Sequence, residues 1–118
     1  MVHLKTLDNG IRLIVKQMPG VMSVSMGIIV NTGASVESDS EDGISHFIEH
    51  MMFKGTGKRS AFKISDEMDA IGAQMNAFTS KDITCYYAKS TTAHVSEAFE
   101  ILSDLFFNSV FPEEEMSR

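Results

Sequence analysis

The spacing of apolar positions changes several times along the chain, and each change predicts an element. "HLKTL", "DNG" and "IRLIVK" read as two short strands joined by an Asn9-Gly10 turn, and "MPG" ends the pair. "VMSVSMGIIVN" alternates at first and then becomes wholly apolar. It predicts a third strand whose later part is buried on both faces. Residues 32–43 are polar, acidic and aperiodic, and read as a loop. A short helix is expected from Ile44 to about Phe53. The glycine-rich "KGTGKRS" then leads to a helix from Ala61 to Ile71, with Ser60 as N-cap and Gly72 as the stop.

"AQMNAFTS" and "ITCYYAKS" predict two strands joined at Lys81-Asp82. Thr92 is expected to cap a helix from Ala93 to about Phe107. Its apolar stripe would be Val95, Ala98, Phe99, Leu102, Leu105 and Phe106. "FPEEEMSR" reads as a further helix start, with proline in the first turn and acids at the positive end of the dipole. The predicted order is βββαα ββα plus a begun helix. That is an α+β fold, a largely antiparallel sheet with helices packed on one face. Residues 1–118 are expected to be one domain, the N-terminal part of a longer polypeptide.

Charge narrows the choice of function. The net charge is −6 and no basic stripe is present, so nucleic acid and anionic membranes are poor partners. No apolar run reaches the roughly 20 residues of a membrane helix, and no secretory signal is seen. The single cysteine, Cys85, allows no internal disulfide and reads as a small core residue. The expected setting is cytoplasmic. "KGTGK" lacks the full phosphate-loop pattern and follows a helix, so it is not read as one. The nine methionines have no repeating ligand spacing and read as core packing.

The chemistry is concentrated in "HFIEH", residues 46–50. At about 100° per residue, His46, Glu49 and His50 share one helix face, with Ile44, Phe47, Ile48 and Met51 on the other. The apolar face is expected to pack on the sheet while the polar one opens to a cleft. Two imidazoles at this spacing suit one zinc ion, and a carboxylate beside the second suits a general base. An ordinary amphipathic helix would show a similar pattern. "HVSEA", residues 94–98, repeats the first spacing without the second histidine; His94 and Glu97 read as surface.

"GISHFIEHMMFKGTGKRS" followed by "GAQMNAFTSKDITCYYAK" resembles the inverted-zincin metallopeptidases, the family of insulinase, pitrilysin and mitochondrial processing peptidase. The resemblance runs from about Leu7 to Arg118 and is closest to the bacterial processing-peptidase-like members. It implies that His46 and His50 bind zinc and that Glu49 is the general base acting on a zinc-bound water. It implies that Asn76 and Ala77 lie on an edge strand to which the substrate peptide adds, with Asn76 helping to hold the scissile peptide near Glu49. The family's third ligand, a glutamate roughly 75 residues beyond the second histidine, would fall after Arg118. The second half-domain or partner subunit that closes the family's chamber would also fall outside the chain. The implied function is a zinc endopeptidase for unfolded or short peptides, with this piece inactive and prone to self-association. The rival reading is a non-catalytic partner subunit of an active peptidase.

Overall fold

The computed structural model describes residues 2–31 and 43–111, apart from the side chains of Ser45 and His46. The expected acidic loop and the helix begun at Pro112 lie outside the described residues.

Strands β1 (Val2–Thr6) and β2 (Arg12–Lys16) form an antiparallel hairpin. Its loop is one residue longer than a two-residue Asn-Gly turn. The Leu7 N–H donates to the Ile11 carbonyl at 2.7 Å, so Asp8, Asn9 and Gly10 form the connection. Gly10 has φ +93°, the left-handed conformation that closes such three-residue loops and favours glycine.

Strands β3 (Ser23–Val30), β4 (Gln74–Thr79) and β5 (Thr84–Thr91) form a second antiparallel sheet in the order β3-β5-β4. The register places Met26, Ala88 and Met75 in one row, and Ile28, Tyr86 and Ala77 in the next. These rows face the core. Ile29, Cys85 and Phe78 belong to the opposite face, together with Gly27, Tyr87 and Asn76.

Helices α1 (Ile44–Met52), α2 (Ala61–Ala70) and α3 (Val95–Asn108) accompany this sheet. Ser60 caps α2 as its sequence predicts, its hydroxyl accepting from the Lys63 N–H at 3.2 Å. Gly72, at φ +69°, ends the helix while Gly72 and Ala73 donate back to Asp69 and Met68. This is the paired bonding of a Schellman cap. The core joins Met52, Ile64, Met68, Tyr86, Leu102 and Leu105. Tyr86 packs edge-on against Phe106 with ring centroids 5.5 Å apart, so an aromatic contact links sheet and α3. The fold is α+β with helices on one sheet face, as expected.

Four local expectations are corrected. The end of β3 is not buried on both faces: Ile29 is 62% exposed, because helices cover one side of the sheet only. The first two strands do not join the expected sheet: among the described residues they pair only with each other, and every residue of β1 and β2 is exposed. Thr92 lies inside a 3₁₀ turn, Thr92–His94, and α3 begins at Val95 without a side-chain cap. Within α3, Phe99 is exposed while Ile101 is buried, so the buried stripe is rotated from the predicted one. Asp104 is buried on that stripe, in an ion pair with Arg59.

Candidate functional site

Helix α1 is short and starts from Gly43, whose φ is +84°. Its predicted apolar face is not buried over most of its length. Ile44, Phe47 and Ile48 are each at least 40% exposed, and only Met51 and Met52 at its C-terminal end enter the interior. The half-buried side chain on the sheet side is Glu49. Its Oε2 accepts a hydrogen bond from Thr79 Oγ1 at 2.5 Å.

Thr79 is the last residue of β4, opposite Thr84. Alternation along β4 sends Met75, Ala77 and Thr79 to the helix side, and Gln74, Asn76 and Phe78 to the other. Glu49 therefore meets the sheet at its β4 margin. The Tyr86 phenol, 3% exposed, is close enough to feel it. Burial raises the ionisation of Tyr86 above the ordinary tyrosine range, and the charge of Glu49 raises it further.

Among the predicted ligands, His50 is exposed in the last turn of α1, one residue from Glu49. His46 belongs to the first turn of the same helix, and its side chain lies outside the described residues. Helical spacing of four puts the two histidines on one face. The donor chemistry of this helix thus fits two imidazole ligands of a zinc ion, with a carboxylate between them that the sheet already engages. Among the described residues no group of three or more potential ligands comes together.

Asn76 and Ala77 lie on an edge strand, because β5 is β4's one strand partner among the described residues. Asn76 is exposed on the sheet face opposite the helices, and Ala77 is half-buried on the helix side. The Asn76 Oδ1 accepts from the Ala77 N–H at 2.8 Å. That donor is therefore held by a side chain of its own strand. A groove of about 600 Å³ borders Asn76, Gly27, Tyr87 and Lys89.

Sequence reasoning missed Thr79 and Tyr86. Both were within reach of it: they lie on the same sheet face as Ala77, two residues along β4 and directly across on β5. It also missed the support beneath the site. Arg59, from the glycine-rich loop, reaches Glu67 on α2 and Glu100 and Asp104 on α3 at 2.9, 2.5 and 2.8 Å. The Thr56 hydroxyl donates to Asp104 at 2.8 Å and accepts from the Arg59 N–H at 3.0 Å. The loop leaving α1 is thereby locked to both other helices. His94 and Glu97 are a half-exposed pair 2.6 Å apart, consistent with surface, and Cys85 is buried with its thiol pushed up by desolvation.

Residues 12–118 match the sequence profile described as Insulinase (Peptidase family M16). The chain belongs to that family. Over its whole length it is 46% identical to an uncharacterized zinc protease, YmxG, of Bacillus subtilis, and covers 29% of that protein. It is 37% identical over 113 residues to a probable mitochondrial-processing peptidase subunit beta of Arabidopsis thaliana, covering 96% of this chain and 21% of the relative. Its fold is similar to that of a protease from Helicobacter pylori in crystal form. The TM-score is 0.91 at 25% identity, over 99% of this chain and 28% of that one. The chain thus spans less than a third of these relatives. No helix among the described residues is long and apolar enough to cross a membrane.

Proposed function

We propose that residues 1–118 are the N-terminal part of the catalytic domain of a zinc endopeptidase that cleaves unfolded or short peptides. The observation that carries this reading is the placement of Glu49. It is a half-buried carboxylate, beside a histidine, at the margin of an edge strand. His46 and His50 would hold zinc, and a glutamate beyond Arg118 would be the third ligand. Zinc, when bound, supplies a Lewis acid that polarises the scissile carbonyl and acidifies water. Glu49 takes the proton of the attacking water and delivers it to the leaving amine. The peptide adds as an extra strand to the edge of β4 away from β5, exchanging main-chain bonds near Ala77. Asn76 gives up its hold on the Ala77 N–H and contacts the incoming backbone.

Main-chain pairing tolerates many sequences but demands an extended substrate, which supports unfolded or short peptides. A second half-domain or a partner subunit completes the chamber; relatives named as subunits support this. A cytoplasmic setting is part of the same proposal. The test is Glu49→Gln in the full-length protein, with bound zinc and peptide cleavage both measured. Zinc at the wild-type level with turnover lost is the expected result. Cleavage that survives the substitution, or persists after chelation, refutes the reading.

A further inference from the structure

We propose that Thr79 is a positioning residue for Glu49, and that it ties the general base to the strand that receives the peptide. This rests on the reading of Glu49 as the base. Glutamate has three side-chain torsions, and a general base works only when its oxygen is held within hydrogen-bond reach of the proton it takes. On a nine-residue helix, Glu49 gains little order from its own element. The order comes from β4: Thr79 Oγ1 donates to Oε2, leaving the other oxygen for the transferred proton. Threonine is suited to this task, because its β-branched side chain is stiff about χ1 and its strand backbone is fixed by pairing with Thr84.

Thr79 shares its strand and its face with Ala77, two residues earlier. A peptide that pairs with β4 therefore fixes the strand that holds the base, so substrate binding and base orientation are mechanically one event. Tyr86 belongs to the same sheet face. It lies opposite Ala77, is buried, and senses the Glu49 charge. Among the described residues, the hold on the carboxylate is thus the Thr79 hydroxyl, with the Tyr86 ring on the same sheet face.

The test uses the full-length zinc-loaded protein with Thr79→Val, which keeps the shape and removes the donor, and Thr79→Ser, which keeps the donor. Thr79→Val should lower kcat by about 10- to 100-fold with KM changed by less than about twofold and zinc stoichiometry unchanged. Thr79→Ser should stay within about threefold of the wild-type kcat, since the donor remains. In crystals of the metal-free protein, Glu49 should occupy one rotamer in the wild type and in Thr79→Ser, and leave it in Thr79→Val. Should the valine variant not fold, Thr79→Ala serves as the donor-less protein and is judged by the same outcomes. A wild-type kcat without the hydroxyl, or a serine variant as impaired as the valine one, overturns the proposal. Glu49→Gln separates the two readings: if it is inactive while Thr79→Val is fully active, only the positioning role fails, and if it turns over, the base itself is elsewhere.

Discussion

Arg59 and Asp104 meet in the interior at 2.8 Å, on a loop and a helix 45 residues apart, with side chains 5% and 6% exposed. Their partners are unequal. Without Asp104, Arg59 keeps Glu67 and Glu100. Without Arg59, Asp104 keeps, among the described residues, only neutral donors, Thr56 and Asn108. Removing one member of a buried pair is costly because an uncompensated charge stays behind. Arg59→Met should therefore destabilise the fold by about 3 kcal/mol or more, and Asp104→Asn by about 1–2 kcal/mol. Urea midpoints of the two variants check the order; an Asp104→Asn loss equal to or larger than that of Arg59→Met contradicts it.

The same cluster sets an acid limit. Burial pushes the Asp104 carboxyl up, but hydrogen bonds from Thr56, Asn108 and Arg59, with the charge of Arg59, hold it below the usual carboxylate range. The Glu100 carboxyl is also held low, first by its hydrogen bond from Arg59. Arg59 itself is raised further above its already high ordinary value. A depressed folded-state value means that these acids stabilise the fold fully above their ordinary unfolded values, near pH 4. That contribution fades as pH falls through the lower folded values. Arg59 stays charged throughout and adds no pH dependence in this window. The stability gap between wild type and Asp104→Asn should thus be constant from about pH 8 to 6 and close below about pH 4. A gap that widens on acidification refutes this account.

Much of the fold was legible because local signals and tertiary packing agree. Ser60 and Gly72 bracket α2 with bonds that their types dictate, and the alternation in "QMNAFT" survives as the two faces of β4. The errors arose where a local pattern met a long-range partner. The apolar stripe of α1 argued for packing on the sheet, yet Glu49 is half-buried there, bonded to a hydroxyl 30 residues away. The stripe of α3 omitted position 104 because an aspartate reads as surface, and only Arg59, far off in sequence, makes its burial affordable. For the site, the identities of His46, Glu49 and His50 stood out by spacing, whereas Thr79 is an unremarkable strand residue until its helix partner is known.

The edge of β4 gives a third expectation. The Ala77 N–H is engaged by the side chain of Asn76 and, among the described residues, by no neighbouring strand. Proline is tolerated in an edge strand when its missing N–H faces the open side. Ala77→Pro in a full-length Glu49→Gln background should fold normally yet bind an extended peptide at least about tenfold more weakly, for want of one main-chain donor. Fluorescence anisotropy with a labelled peptide measures this. Unchanged affinity in a folded variant moves the peptide site away from this strand.

The hairpin gives the fourth. Leu4 and Ile14 are directly paired across β1 and β2, and are 68% and 67% exposed. An apolar cross-strand pair of this kind stabilises a hairpin, but both side chains also offer area to any second surface. Among the described residues no third strand pairs with this ribbon, so its edges add main-chain groups to the same patch. The isolated 118-residue chain should therefore self-associate through this hairpin as concentration rises. Replacing the pair by Leu4→Lys and Ile14→Glu keeps a favourable cross-strand contact, now ionic, while removing the apolar area. Sedimentation velocity should show the double variant shifted toward monomer, with its urea midpoint little changed because neither residue belongs to the core. If the variant associates as strongly as the parent chain, the contact lies on another surface. The outer face of the β3-β5-β4 sheet, with Ile29 62% and Phe78 46% exposed, is then the next surface to substitute.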